Sequence, residues 1–186
     1  MNYLRGFVPW IAFAAVSTAG WQWGALAGLV TAVPLLVHDR RSGVAADALI
    51  LEFSTIGYFA ALTALAFAAP HSPVRDYAGC LAIAWLAVTA WGTLAVRRPF
   101  TLGIARRSVP EAVWHTRAFL RINTVITAAW ALSFTLTAAA LAACDATRAG
   151  TAASVACQVA GFVVPAVFSQ RYPKAARARL AAAAAR

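Results

Sequence analysis

Two stretches of this chain, residues 77–96 and 122–143, contain no charged side chain, and each matches the ~20 apolar residues a helix needs to cross a bilayer. Nothing constrains the fold more. In hydrocarbon each backbone N–H and C=O must be satisfied inside the protein, and a continuous apolar run does so as a helix. Four further runs are largely apolar: residues 4–19, which include Arg5, residues 21–37, residues 46–69, which include Asp47 and Glu52, and residues 151–168. The first is short against the ~20 residues of a full crossing. Gly20-Trp21-Gln22-Trp23-Gly24 divides it from the second, and its two tryptophans suit a membrane–water boundary. The first two runs read as a tight helical hairpin, or as one tilted helix whose first part lies in the interface. Ala19-Gly20 leads straight into a second apolar run rather than a polar mature domain, so the first run is expected to stay rather than be cleaved as a signal peptide.

The expected fold is therefore all-α: a polytopic transmembrane helical bundle of six spans, or five if the first two segments act as one. It forms a single domain over residues 1–168, followed by a basic, alanine-rich tail, 169–186, able to continue as a fraying helix. Composition agrees. The chain is 62% hydrophobic and 12% charged, where soluble proteins are about 45–50% apolar and about 25% charged.

The net charge of +10 would point to nucleic acid in a soluble protein. Here no aromatic–basic surface for bases is visible, so nucleic acid is not an expected partner. The cations sit between apolar runs, where they report orientation. Arg5, Arg40, Arg41, six arginines in residues 97–121, and Arg171, Lys174, Arg177, Arg179 and Arg186 fall on one side; Arg75 and Arg148 fall on the other. Cytoplasmic loops carry the excess of Lys and Arg. Both termini and the 97–121 connector are thus expected in the cytoplasm, facing anionic headgroups.

That connector holds six arginines and one acid, Glu111. Ser108-Val109-Pro110-Glu111 has the form of a capping box with proline in the first turn. From there Val109, Ala112, Val113 and Leu120 share one helical face, with Trp114, Arg117 and Arg121 towards the other. This predicts an amphipathic helix on the inner membrane surface before the fifth span. Arg97, Arg106, Arg107, Trp114 and Arg117 are the candidate contacts to lipid or a protein partner.

Several landmarks follow one another in a suggestive order: Phe7-Val8-Pro9, Arg98-Pro99, Val109-Pro110-Glu111-Ala112-Val113-Trp114, Asn123, and Trp130-Ala131-Leu132-Ser133-Phe134. In these the chain resembles the intracellular septation protein A family, small polytopic inner-membrane proteins of bacteria. The resemblance follows the order of landmarks over most of the chain and is sharpest around the connector. It departs between Trp114 and Asn123, where this chain is longer, and at segment six and the tail, which have no counterpart. It implies a bacterial inner-membrane location and a structural or organising role in the envelope, and it supplies no catalytic residue.

Glu52 is the one acid well inside an apolar run. An ionisable group at depth faces the bundle interior and needs a partner. Thr55 and Thr63 lie near it on the helix, while Asn123, Thr127, Trp130, Phe134 and Thr137 form a stripe on the fifth segment. One reading is a cytoplasm-facing polar site in which Glu52 meets Asn123, Thr127 and one of Arg98 or Arg121. The plainer reading is that Glu52 pairs with an arginine and locks two helices, or snorkels to the edge. Gly20, Gly24 and Gly28 line one face of the second segment and allow close helix packing, within the chain or in a homodimer. Asp47 is expected at a helix N-terminus, where a negative charge is favoured.

No catalytic site emerges: there is no Gly-rich phosphate loop, nucleophile elbow or HExxH motif. No cofactor is implied. His38, His71 and His115 fall in three different connectors, so no metal site is expected. Cys80 and Cys144 fall near the outer edge, as free thiols or as a disulfide, and Cys157 reads as a free buried thiol. Trp21, Trp23 and Trp114 have interfacial explanations; Trp10, Trp85, Trp91 and Trp130 read as packing residues. Two functions compete. One is a non-enzymatic envelope protein that organises lipid or protein partners. The other is a small permease or channel built on Glu52.

Overall fold

The structure, a computed structural model, describes residues 3–184; the side chains of Tyr3, Leu4, Asp47, Arg177 and residues 179–184 lie outside the description, and with them the reading of Asp47. Among the described residues there are seven α-helices and no strands: α1 (Tyr3–Val16), α2 (Trp21–Arg41), α3 (Ile50–Ala68), α4 (Ala78–Ala95), α5 (Thr101–Arg106), α6 (Arg117–Thr147) and α7 (Thr151–Ala184). Five helical stretches among the described residues are long and apolar enough to cross a membrane: Trp21–Arg41, Ile50–Ala68, Pro73–Ala95, Arg117–Thr147 and Thr151–Ala176. With 14 residues, α1 is only about 21 Å long at 1.5 Å per residue. The chain forms two compact units, residues 1–85 and 86–186, with α4 contributing to both. Helix α7 continues unbroken past Phe168 to Ala184.

In the first unit, α1, α2 and α3 pack in sequence as antiparallel neighbours. Gly20 has φ +142°, a backbone open to glycine alone at little strain, and it makes the sharp turn from α1 into α2. A Cβ at Gly24 would strike the Ser17 hydroxyl and the Phe13 carbonyl, and one at Gly28 would enter the Phe59 ring. This glycine face is therefore filled by α1 and α3 of the same chain. At Gly24 and Gly28 the close packing that the spacing predicts is thus made within the chain. At the far end of the hairpin Arg5 pairs with the buried Asp39 at 3.2 Å. The start of α1 is thus level with the end of α2.

The core of this unit is aromatic. Trp10 stacks on Tyr58 at 5.3 Å and meets Phe59 at 4.8 Å; Phe13 meets Phe59 at 5.5 Å. Trp21 is buried, and its indole N–H donates to the Pro70 carbonyl at 3.0 Å in the α3–α4 turn. Trp23 is exposed and packs edge-on against Phe67.

In the second unit α6 and α7 form a long antiparallel hairpin. Proline carries no N–H, so Pro165 inside α7 leaves the Gly161 carbonyl, four residues earlier, without its helical partner. Ser133 Oγ on α6 supplies the missing bond at 2.9 Å. One turn along, Trp130 Nε1 donates to Ser169 Oγ at 2.9 Å, and that hydroxyl donates to the Pro165 carbonyl at 2.7 Å. Ser133→Ala should orphan the Gly161 carbonyl and cost about 1–2 kcal/mol. In a Pro165→Ala background, where the helical N–H is restored, the same substitution should cost much less. Detergent-titrated unfolding followed by circular dichroism reads the difference.

Candidate functional site

The connector joins α4 to α6 and belongs wholly to the second unit. Helix α4 ends with Arg97 N–H bonded to the Leu94 carbonyl and Arg98 N–H to the Thr93 carbonyl. That closure needs a left-handed residue, usually glycine, and the residue here is Arg97 at φ +57°. A β-carbon in that conformation strains the backbone by about 1 kcal/mol. Pro99 and Phe100 are buried, and α5 begins at Thr101.

Helix α5 docks on the first half of α6 through its buried residues Thr101, Leu102 and Gly103. Thr101 Oγ1 donates to the Asn123 backbone carbonyl at 3.0 Å and lies 2.8 Å from Thr127 Oγ1. Asn123 Nδ2 donates to the Phe119 carbonyl at 2.9 Å. All three side chains are 2% exposed or less. Asn123 and Thr127 therefore have partners inside their own unit. Trp130, Phe134 and Thr137, further along the same stripe, are buried too.

Beyond α5 the chain departs from the sequence expectation. Ser108 closes a turn on the Ala105 carbonyl instead of capping a helix. Pro110 is extended (ψ 147°), and only a 3-10 turn, Glu111–Val113, follows it. Trp114 Nε1 reaches back to the Val109 carbonyl at 3.2 Å, and Arg106 lies over the Trp114 ring at 5.3 Å. The true cap is Thr116, whose hydroxyl accepts the Phe119 N–H at 3.3 Å and starts α6 at Arg117. The one continuous amphipathic helix from residue 109 is thus replaced by a short helix, a 3-10 turn and the first turn of α6. The physical reason is tertiary: α5 gains its bonds by folding back onto Asn123 and Thr127, and the tight Val109–Trp114 return is incompatible with a helix there. Arg97, Arg98, Arg107, Arg117 and Arg121 are exposed, and Arg106 is half-buried against Trp114.

Glu52 and Thr55 lie on α3, in the first unit. Glu52 is in the first turn of that helix and part-exposed. Although it lies well inside an apolar run, it is near the start of α3 proper, because that helix begins only at Ile50, after a 3-10 turn over Ala46–Leu49. A carboxylate in a first turn is favoured by the helix dipole. Thr55 is 2% exposed; its hydroxyl, like those of Thr63 and the Trp10 indole N–H, has no hydrogen-bond partner among the described residues.

Sequence reasoning missed Thr101, Ser133, Ser169 and the Arg5–Asp39 pair. Pro165 was a usable signal for Ser133, since it frees a known carbonyl; nothing local marks Thr101. Among the described residues no three His, Cys, Asp or Glu side chains gather in a way that could hold a metal ion. No protein-family model matches the chain, and no curated protein or solved structure is significantly similar to it.

Proposed function

We propose that this chain is a multi-pass protein of a bacterial inner membrane with a structural or organising role in the envelope, exerted through its arginine-rich connector on anionic lipid headgroups. One observation carries the reading. The connector folds back onto α6 through Thr101, and Arg97, Arg98, Arg117 and Arg121 remain exposed around it. Arg97 keeps its charge where glycine would relieve the backbone, and a strained residue retained in this way points to use of its side chain. Guanidinium groups suit phosphate, since their planar fork can bond two oxygens at once.

The proposed threading has six crossings, with α1 and α2 as a hairpin and both termini and the connector in the cytoplasm. The level pairing of Arg5 with Asp39 supports an α1 that returns the N-terminus to the side of Arg40 and Arg41. The excess of Lys and Arg on that side supports the orientation.

The test is lipid binding by the purified protein in mild detergent, read by native mass spectrometry. Phosphatidylglycerol and cardiolipin should be retained over phosphatidylcholine, and replacing Arg97, Arg98, Arg117 and Arg121 together by glutamine should abolish the preference. Equal retention of all three lipids would overturn the reading. Solute flux in liposomes that disappears with Glu52→Gln would favour the permease instead. Arg97→Gly alone should stabilise the fold by about 0.5–1 kcal/mol while weakening retention of the anionic lipids.

A further inference from the structure

The α6–α7 hairpin has a fixed antiparallel register. Trp130 meets Ser169, Ser133 bonds to the Gly161 carbonyl, and Thr137 packs so closely on Gly161 that a Cβ there would overlap its hydroxyl. The helices therefore come within backbone reach of each other at this point. Moving from Thr137 by two turns along α6 leads to Cys144. Moving from Gly161 by one and two turns in the opposite direction along α7 leads to Cys157 and Ser154. Residues four and seven apart share a helix face, so the register brings Cys144 against Cys157 and Ser154. Cys157 and Ser154 are both close enough to the Cys144 thiol to interact with it electrostatically. Both thiols are free and part-exposed. Cys80 belongs to the first unit, where it lies beside Tyr58.

We propose that Cys144 and Cys157 form a redox-sensitive pair that closes to an intramolecular disulfide across the α6–α7 hairpin. The oxidant is a small-molecule or protein disulfide. One thiolate of the pair attacks it, forms a mixed disulfide and releases one thiol. The second thiolate then attacks the bound sulfur of the first and releases the other half of the oxidant as a thiol. Two electrons pass from the pair to the oxidant, and the protons of the two cysteines end on the two released thiols. The product clamps the turn that carries Arg148, a second arginine in left-handed backbone (φ +52°).

The pair lies at the opposite end of α6 from the connector. On the threading proposed above that is the outward, oxidising side, but the chemistry does not depend on it.

The test uses the full chain in mild detergent, incubated with oxidised glutathione or with dithiothreitol, then labelled with a mass-tagged maleimide under denaturing conditions. The reduced chain should take up three tags, one for each cysteine; the oxidised chain should take up one, at Cys80. It should remain monomeric on a non-reducing gel, and peptide mapping should find Cys144 joined to Cys157. The Cys80→Ser chain should go from two tags to none, and Cys157→Ser should form no intramolecular link. Three tags after oxidation, a link that includes Cys80, or a disulfide between two chains would overturn the proposal.

Discussion

Gly161→Leu is expected to be among the most damaging single substitutions in the second unit, with a loss of about 3 kcal/mol or more. Overpacking a well-filled contact usually costs about 1–3 kcal/mol, because rotamers and backbone must shift. Here the obstacle begins at the first added carbon, which would overlap the Thr137 side chain. Thr137 is itself buried and has little room to retreat. The Ser133 bond to the Gly161 carbonyl depends on the same close approach and would be lost with it. Gly161→Ala should do less harm, since alanine favours helix by about 1 kcal/mol over glycine and this offsets part of the clash. Adding Thr137→Ala to either variant should recover part of the loss, because the Thr137 Oγ1 and Cγ2 are among the atoms that stand in the way. Unfolding by detergent titration, followed by circular dichroism, measures all four. Full stability in Gly161→Leu would mean that the two helices do not approach here.

Trp130→Ala is the second large effect, expected at about 3–5 kcal/mol, the usual range for removing a buried large aromatic side chain. Trp130 is 2% exposed and packs on Phe134 at 5.3 Å and on Phe162 at 6.3 Å. Its N–H also holds Ser169 at 2.9 Å. Trp130→Phe separates these contributions. It keeps an aromatic ring against Phe134 and Phe162 but loses the hydrogen bond and the volume of the second fused ring, so about 2 kcal/mol should go. A Phe variant as unstable as the Ala variant would assign the effect to the hydrogen bond rather than to packing.

The helices that hydropathy located best are those bounded by turns. The run at residues 77–96 became Ala78–Ala95, between the Pro73 turn and the left-handed Arg97. Where a helix continues into polar sequence, hydropathy stopped too early. The run at 122–143 became Arg117–Thr147, and the run at 151–168 became Thr151–Ala184. Apolarity records where a chain is lipid-soluble, while the hydrogen-bond ladder can continue through charged residues.

The connector departs from its local motif for a different reason. Ser108-Val109-Pro110-Glu111 and Thr116-Arg117-Ala118-Phe119 both present a hydroxyl three residues before an N–H. Only the docking of Thr101 onto Asn123 and Thr127 selects the second. That choice rests on contacts more than twenty residues apart, which a local motif does not carry. The same applies to the stripe from Asn123 to Thr137. Its helical spacing was readable, but its partners were not: α5 for the first part and α7 for the rest.

Site-directed labelling with a membrane-impermeant maleimide tests the central claim most directly, in a chain whose native cysteines are replaced by serine. On the proposed threading the connector arginines of this apolar helical bundle face the cytoplasm. A single cysteine at Ser108 should be labelled only after the cells are permeabilised, and one at Gly150, in the α6–α7 turn, should be labelled in intact cells. Labelling of the Ser108 position in intact cells, with the Gly150 position protected, would contradict the account.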